Sequence, residues 1–170
     1  IYVICPLVEI SETLELKNVK EEFEKIKNIF PKFETKLLHG KMKDKEKNEV
    51  LDSFRANQTQ ILVSTQVIEV GVDVPNATII VIESSEKFGL AQLHQLRGRV
   101  GRGDKQSYCL LFPTLSKDEI KKEKQLERLK YFASNSDGMK LSEYDMMSRG
   151  IGDLIGTSQT GLPKFKMADI

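Results

Sequence analysis

Residues 60–83 read Gln-Ile-Leu-Val-Ser-Thr-Gln-Val-Ile-Glu-Val-Gly-Val-Asp-Val-Pro-Asn-Ala-Thr-Ile-Ile-Val-Ile-Glu, and two runs inside them decide the fold. Gln60 to Thr65 and Ile79 to Glu83 are nearly continuous apolar, β-branched runs, parted by a Val-Asp-Val-Pro-Asn-Ala turn. Unbroken apolarity over so few residues is what a strand covered on both faces requires. Downstream, Leu90 to about Val100 carries a helical period, and Ser107 to Phe112 is a further strand closed by Pro113. Upstream, the spacing predicts a helix from about Asp44 to Ala56 with Val50, Leu51 and Phe54 inward, preceded by a strand over Thr35 to Leu38 that ends at His39-Gly40. Before that, Val19, Phe23, Ile26 and Phe30 recur at helical intervals up to Pro31, with Asn18 and Glu21 as a cap-and-third-residue pairing. Ile1 to Cys5 is a first buried strand closed by Pro6. Strands alternating with helices predict an α/β fold: βαβ units with right-handed crossovers and a mostly parallel sheet flanked by helices on both faces. Ligands of such sheets bind beyond the carboxyl ends of the strands.

The rest of the sequence fits one domain of this class. The chain has 170 residues, 39% apolar and 30% charged, which leaves collagen-like, membrane-spanning and wholly disordered readings without support. Lys and Arg exceed Asp and Glu by one, so any nucleic-acid surface must come from local placement of cations. Cys5 and Cys109 each sit in an apolar run and read as buried free thiols in a reducing compartment, with a cytoplasmic location as the expectation. No apolar stretch has bilayer length, and none reads as a signal peptide. The chain opens without Met on a strand, which marks it as part of a longer protein. Ser116 and Glu119 open a long charged helix to about Ala133. After Asn135, glycines 138, 150, 152, 156 and 161 punctuate a tail of short helical pieces, one capped by Ser142. The division drawn from this is a compact unit, residues 1–115, and a helical extension with the tail, residues 116–170.

Chemistry concentrates in Gln95-Leu-Arg-Gly98-Arg99-Val-Gly101-Arg102-Gly103. On a continuous helix Gln95, Arg99 and Arg102 share one face while Leu93, Leu96 and Val100 point elsewhere. Guanidinium groups stay charged and present planar forks, which suits phosphate; a solvated basic helix end stopped by Gly103 is the alternative. Ser64 and Thr65 reach the carboxyl end of their strand as two hydroxyls able to grip phosphate oxygens. Asp73, among apolar neighbours, is either hydrogen-bonded to Arg or ribose or is a capping residue before Pro75. No GxxxxGK[ST] loop is present, so the chain does not cradle a triphosphate in that way. Asp118-Glu119 opens a polar helix and reads as a cap, not a metal-binding pair.

Residues 62–112, with YVICPLVE and LLHGKM before them and SRGIGDLIGTSQTGLPKFKMADI after, resemble motifs V and VI of superfamily 2 helicases, and specifically the RecG family. The resemblance implies the second of two RecA-like motor lobes, joined in the whole protein to a first lobe and a wedge domain. It implies ATP and Mg2+ held mainly by the first lobe, with Gln95, Arg99 and Arg102 reaching across as sensor and arginine fingers. Gly71 and Asp73 match the motif linking nucleotide state to DNA grip. Ser64, Thr65, His39 and Gly40 match contacts to the nucleic-acid backbone. Branched double-stranded DNA, in recombination and repair, is the implied partner. Arg149, Gly150, Gly152, Gly156, Thr157, Gln159 and Gly161 resemble a translocation motif, in which Arg149 and Gln159 are candidate DNA contacts. Ser158 stands where the family usually has Arg, which removes one phosphate-directed donor. A transcription-repair coupling factor shares the RGRVGR core but usually has Tyr at the position of His94. A non-enzymatic RecA-like interaction module is the alternative from another functional class.

Overall fold

The computed structural model describes residues 1–6, 12–65, 74 and 76–149. The apolar runs form five strands, β1 (Tyr2–Ile4), β2 (Thr35–Leu38), β3 (Ile61–Ser64), β4 (Ile79–Glu83) and β5 (Tyr108–Phe112), in the order β2-β3-β1-β4-β5. Every pairing is parallel, with Val3 in register with Val63 on one side and Val81 on the other, and Val81 in turn with Leu110. The helices are α1 (Glu12–Ile29), α2 (Asp44–Arg55), α3 (Leu90–Arg97), α4 (Glu119–Ser134) and α5 (Gly138–Arg149). This is the doubly covered α/β architecture the sequence predicts.

Alternation along the strands divides the core between the two faces. Val3, Cys5, Ile61 and Val63 pack with Val19 and Ile26 of α1. Tyr2, Ile4, Leu62, Ile80 and Ile82 face the other way, onto Leu51 and Phe54 of α2 and onto Leu90, Leu93 and Leu96 of α3. Burying each such aliphatic side chain contributes roughly 1.5–3 kcal/mol before chain entropy is counted. Leu129 and Phe132 of α4 and Leu141 of α5 belong to this second cluster, so the helical extension is built onto α3. The rings of Tyr131 and Tyr144 stack at 3.9 Å between α4 and α5. Cys5 and Cys109 are free thiols; burial pushes Cys5 up to about 12 and raises Cys109. Among the described residues no helix is long and apolar enough to cross a membrane.

Helix ends differ from expectation in four places. Helix α1 begins at Glu12, so Asn18 lies inside it and caps nothing. Glu, Leu and Lys in the preceding turn propagate a helix readily, and no Gly or Pro interrupts them. Helix α4 is capped by Asp118, whose carboxylate accepts from the Lys121 amide at 3.0 Å, while Ser116 accepts from the Asp118 amide one step upstream. Helix α5 starts at Gly138 behind Asp137, which accepts from the Met139 amide at 2.9 Å; Ser142 is interior and donates to the Gly138 carbonyl. Helix α3 ends at Arg97, short of Val100. Beyond it the Arg99 amide bonds the Leu96 carbonyl at 3.0 Å and the Val100 amide the Arg97 carbonyl at 3.4 Å, turns tighter than the α-helix. Gly101, at φ +79°, then turns the chain away in a conformation side chains rarely adopt.

Candidate functional site

Helix α3 is held from the start by its own residues and by α5. The Gly89 amide donates to the Gln92 side chain at 2.9 Å, and the Leu90 amide to the Asp145 carboxylate at 3.3 Å. Leu93, Leu96 and Val100 are buried, as expected, and Gln95 is exposed on the other side. Arg99 is half-buried and Arg102 exposed, so packing seals neither of them. Because α3 stops at Arg97, Gln95, Arg99 and Arg102 are not three rungs of one helix. The tight turns keep them together nonetheless: Arg99 follows the Gly98 cap directly, and Arg102 Nε donates back to the Gly98 carbonyl at 3.0 Å. Two guanidinium groups and an amide are thus presented at one end of α3, an arrangement suited to an anion with several oxygens.

Arg97, inside the same motif, is spent differently. Its Nη1 donates to the carbonyls of Phe132 at 3.2 Å and Asn135 at 2.9 Å, and its Nη2 lies 3.0 Å from His94 Nδ1. The guanidinium carbon stands 4.4 Å from the centre of the Phe132 ring. Arginine only donates, so His94 Nδ1 accepts and a neutral ring carries its proton on Nε2. That Nε2 faces Gly138, where an added Cβ would lie 2.8 Å away, so the start of α5 can approach the ring only as glycine. Arg128 of α4 completes the support: it donates to the carbonyls of Phe88 at 2.9 Å and Glu86 at 2.5 Å and pairs with Asp145 at 3.5 Å. Sequence reasoning passed over Arg97, His94, Arg128, Gly138 and Asp145. Their partners are largely backbone carbonyls and amides 17 to 55 residues away, which no local pattern announces.

A second group gathers at the carboxyl ends of adjacent strands, where Leu38 of β2 is in register with Ser64 of β3. His39 and Gly40 follow β2, and Ser64 and Thr65 close β3. Ser64 is fully buried and its hydroxyl donates to the Thr65 carbonyl at 2.8 Å. His39 Nδ1 and Thr65 Oγ1 are buried with no partner among the described residues. Desolvation, with Lys20, Lys41 and Lys47 nearby, pushes the His39 pKa down, which keeps the ring neutral at pH 7. Such unpaired buried polar atoms mark a surface whose hydrogen bonds are unfinished. Ser85 Oγ, after β4, is a third of this kind, and nothing in the sequence singled it out. Gly71, Asp73 and Gln159 lie outside the described residues, and of Arg149 only the backbone, as the last residue of α5, is described.

Against known proteins, the helicase conserved C-terminal domain family matches residues 1–104. The ATP-dependent DNA helicase RecG of Aquifex aeolicus is 54% identical over the whole chain, which spans 21% of that protein. RecG of Bacillus subtilis is 48% identical over 99% of the chain and 24% of its own length. The chain thus spans about a fifth to a quarter of these relatives. The solved structure of RecG bound to a three-way DNA junction aligns with 97% of the chain and 20% of that polypeptide, at 42% identity and a TM-score of 0.69. Domain 2 of the DEAD-box helicase Mss116p, bound to an RNA duplex, aligns with 80% of the chain and 48% of its own, with a TM-score of 0.58 at 22% identity, a likeness of fold alone.

Proposed function

The chain belongs to the helicase conserved C-terminal domain family, and we propose that it is the second motor lobe of an ATP-dependent DNA helicase of the RecG kind. The observation that carries this reading is the pairing of full-length similarity to RecG with Arg99 and Arg102 left unsealed at the end of a firmly held α3. In the working protein ATP is housed by another lobe. Closure brings Arg99 and Arg102 onto the γ-phosphate, where two fixed positive charges offset the negative charge that develops as the phosphoryl group transfers. Gln95 stands beside them to read whether that phosphate is present. Among the described residues no cluster of His, Cys, Asp or Glu could hold a metal ion, so this lobe supplies no magnesium site and its contribution is made by guanidinium groups.

Hydrolysis reopens the cleft, and repeated closure moves the lobe along double-stranded DNA. His39, Gly40, Ser64 and Thr65 contact the backbone, Gly71 and Asp73 couple that grip to the nucleotide, and Arg149 and Gln159 extend the contact from the tail. A relative solved on a three-way junction supports branched DNA as the substrate. The test is steady-state ATP turnover and fork unwinding by the intact protein. Arg99→Ala or Arg102→Ala should slow turnover by roughly 10³-fold with unchanged junction affinity. Turnover within a few-fold of the parent protein would remove the finger assignment.

A further inference from the structure

The sheet is covered unevenly. Helix α1 packs against β1 and β3, reaching Leu37 of β2 and Val81 of β4 at its margins. Past Val81 the same face continues onto the edge strand β5, where Tyr108, Leu110 and Phe112 are 54%, 42% and 52% exposed. Register places Tyr108 beside Ile79, Leu110 beside Val81 and Phe112 beside Glu83, so these side chains form one strip over β4 and β5. Their neighbours Cys109 and Leu111 turn to the opposite face and pack against the larger core cluster. Three large apolar side chains aligned at the edge of a sheet, next to a sealed core, are not scattered surface residues.

We propose that this strip seats an amphipathic helix supplied by the part of the same polypeptide outside these 170 residues, lying beside α1. Width selects a helix. Two strand spacings give roughly 10 Å, the diameter of one helix with its side chains. Continuity agrees, because an occupant there would extend the α1 cluster from Val81 without a gap. Source follows from length: the matched part is about a fifth of the RecG relatives, so most of such a polypeptide is available to cover this face. The strip itself is uncharged up to Glu83, which calls for an aliphatic or aromatic stripe at three- and four-residue intervals on the partner helix. The inference does not depend on the motor reading, since it concerns only how the sheet is finished.

The experiment places the photo-crosslinking residue p-benzoylphenylalanine at Tyr108 in the intact protein and maps the linked peptides by mass spectrometry. The expected result is an intrachain link to apolar residues outside positions 1–170, at helical spacing. In parallel, Leu110→Asp should lower the melting temperature of the intact protein by about 3 °C or more, and Lys105→Asp, on the exposed turn before β5, should leave it unchanged. Links between two polypeptides, with a melting temperature that rises with concentration, would assign the face to a second copy and overturn the proposal. So would links confined to positions 1–170, or no link together with an unaltered Leu110→Asp protein. Should Leu110→Asp fail to fold, Leu110→Thr and the crosslink map decide.

Discussion

Arg97 and Arg99 sit two residues apart at the end of α3 and have opposite surroundings. The guanidinium of Arg97 is drawn into a junction of three helices, bonded to two backbone carbonyls and to His94, and laid over an aromatic ring. Arg99 makes no hydrogen bond or ion pair among the described residues, and Arg102 bonds back to the helix end that carries it. The difference teaches how one motif divides its labour. A charge that fixes the position of a helix spends its donors on carbonyls inside the protein, whereas a charge meant for a ligand stands on that fixed helix with donors to spare. The comparison also explains why α4 and α5 matter to the site although they contribute none of Gln95, Arg99 and Arg102. They hold the platform on which the two free-standing arginines are aimed.

The largest expected effect separates the platform from the triphosphate. The purified 170-residue chain should hydrolyse no ATP, because nothing among its described residues cradles phosphates or holds magnesium. Adding the first lobe in trans should restore turnover, and Arg99→Ala should abolish that restoration. Turnover by the chain alone that survives Arg99→Ala would break the comparison outright, since the open arginine would then serve nothing.

Next in size is the closed side. Arg97→Ala removes the donors to the Phe132 and Asn135 carbonyls and the contact with the Phe132 ring. Leaving buried carbonyls unpaired typically costs about 1–3 kcal/mol each, so a loss of about 2–4 kcal/mol in unfolding free energy is expected, read by urea denaturation. Arg99→Ala should stay within about 0.5 kcal/mol of the parent in the same assay, as an exposed substitution away from caps and networks does. Equal losses from the two substitutions would erase the distinction drawn between them.

How far this was legible beforehand depended on the range of the interactions. Ile61 to Ser64 and Ile79 to Glu83 announce buried parallel strands because continuous apolarity is a local property, and the α/β architecture follows from their alternation with helices. The end of α3 was not legible. The apolar period of Leu93, Leu96 and Val100 continues past the last helical residue, because tight turns through Gly98 happen to keep Val100 inward. The start of α1 was misplaced for the converse reason: Asn18 has a cap's chemistry, but nothing before it stops the helix. The polar stripe was found from residue type and spacing. The support behind it was invisible, since Arg97 is told from Arg99 only by carbonyls 35 and 38 residues downstream.

A smaller effect tests the closeness of the junction. At Gly138 a methyl group would meet His94 Nε2 at 2.8 Å, and the ring cannot swing aside because Arg97 holds its other nitrogen. Alanine gains some helix propensity over glycine, up to about 1 kcal/mol, but the overlap should prevail and leave Gly138→Ala destabilised by about 1–2 kcal/mol. In a His94→Ala background the same change should become neutral or stabilising. A cycle with no coupling would show that α5 does not bear on α3 through this ring.

The smallest effect probes the other group of candidate residues, where β2 ends. Burial and neighbouring lysines hold the His39 pKa below its ordinary 6.5 in the folded lobe. As pH falls below 6.5 the unfolded chain therefore takes up this proton before the folded one does. Proton binding then favours unfolding, and the lobe loses stability progressively down to the folded-state pKa. His39→Gln removes that linkage, so melting temperatures of parent and variant taken from pH 7.5 to pH 5 should shift in the variant's favour as the solution is acidified. Parallel pH profiles would mean that His39 is as well solvated folded as unfolded. The unpaired Nδ1 could then no longer be counted among the unfinished hydrogen bonds that mark this corner of the sheet as a binding surface.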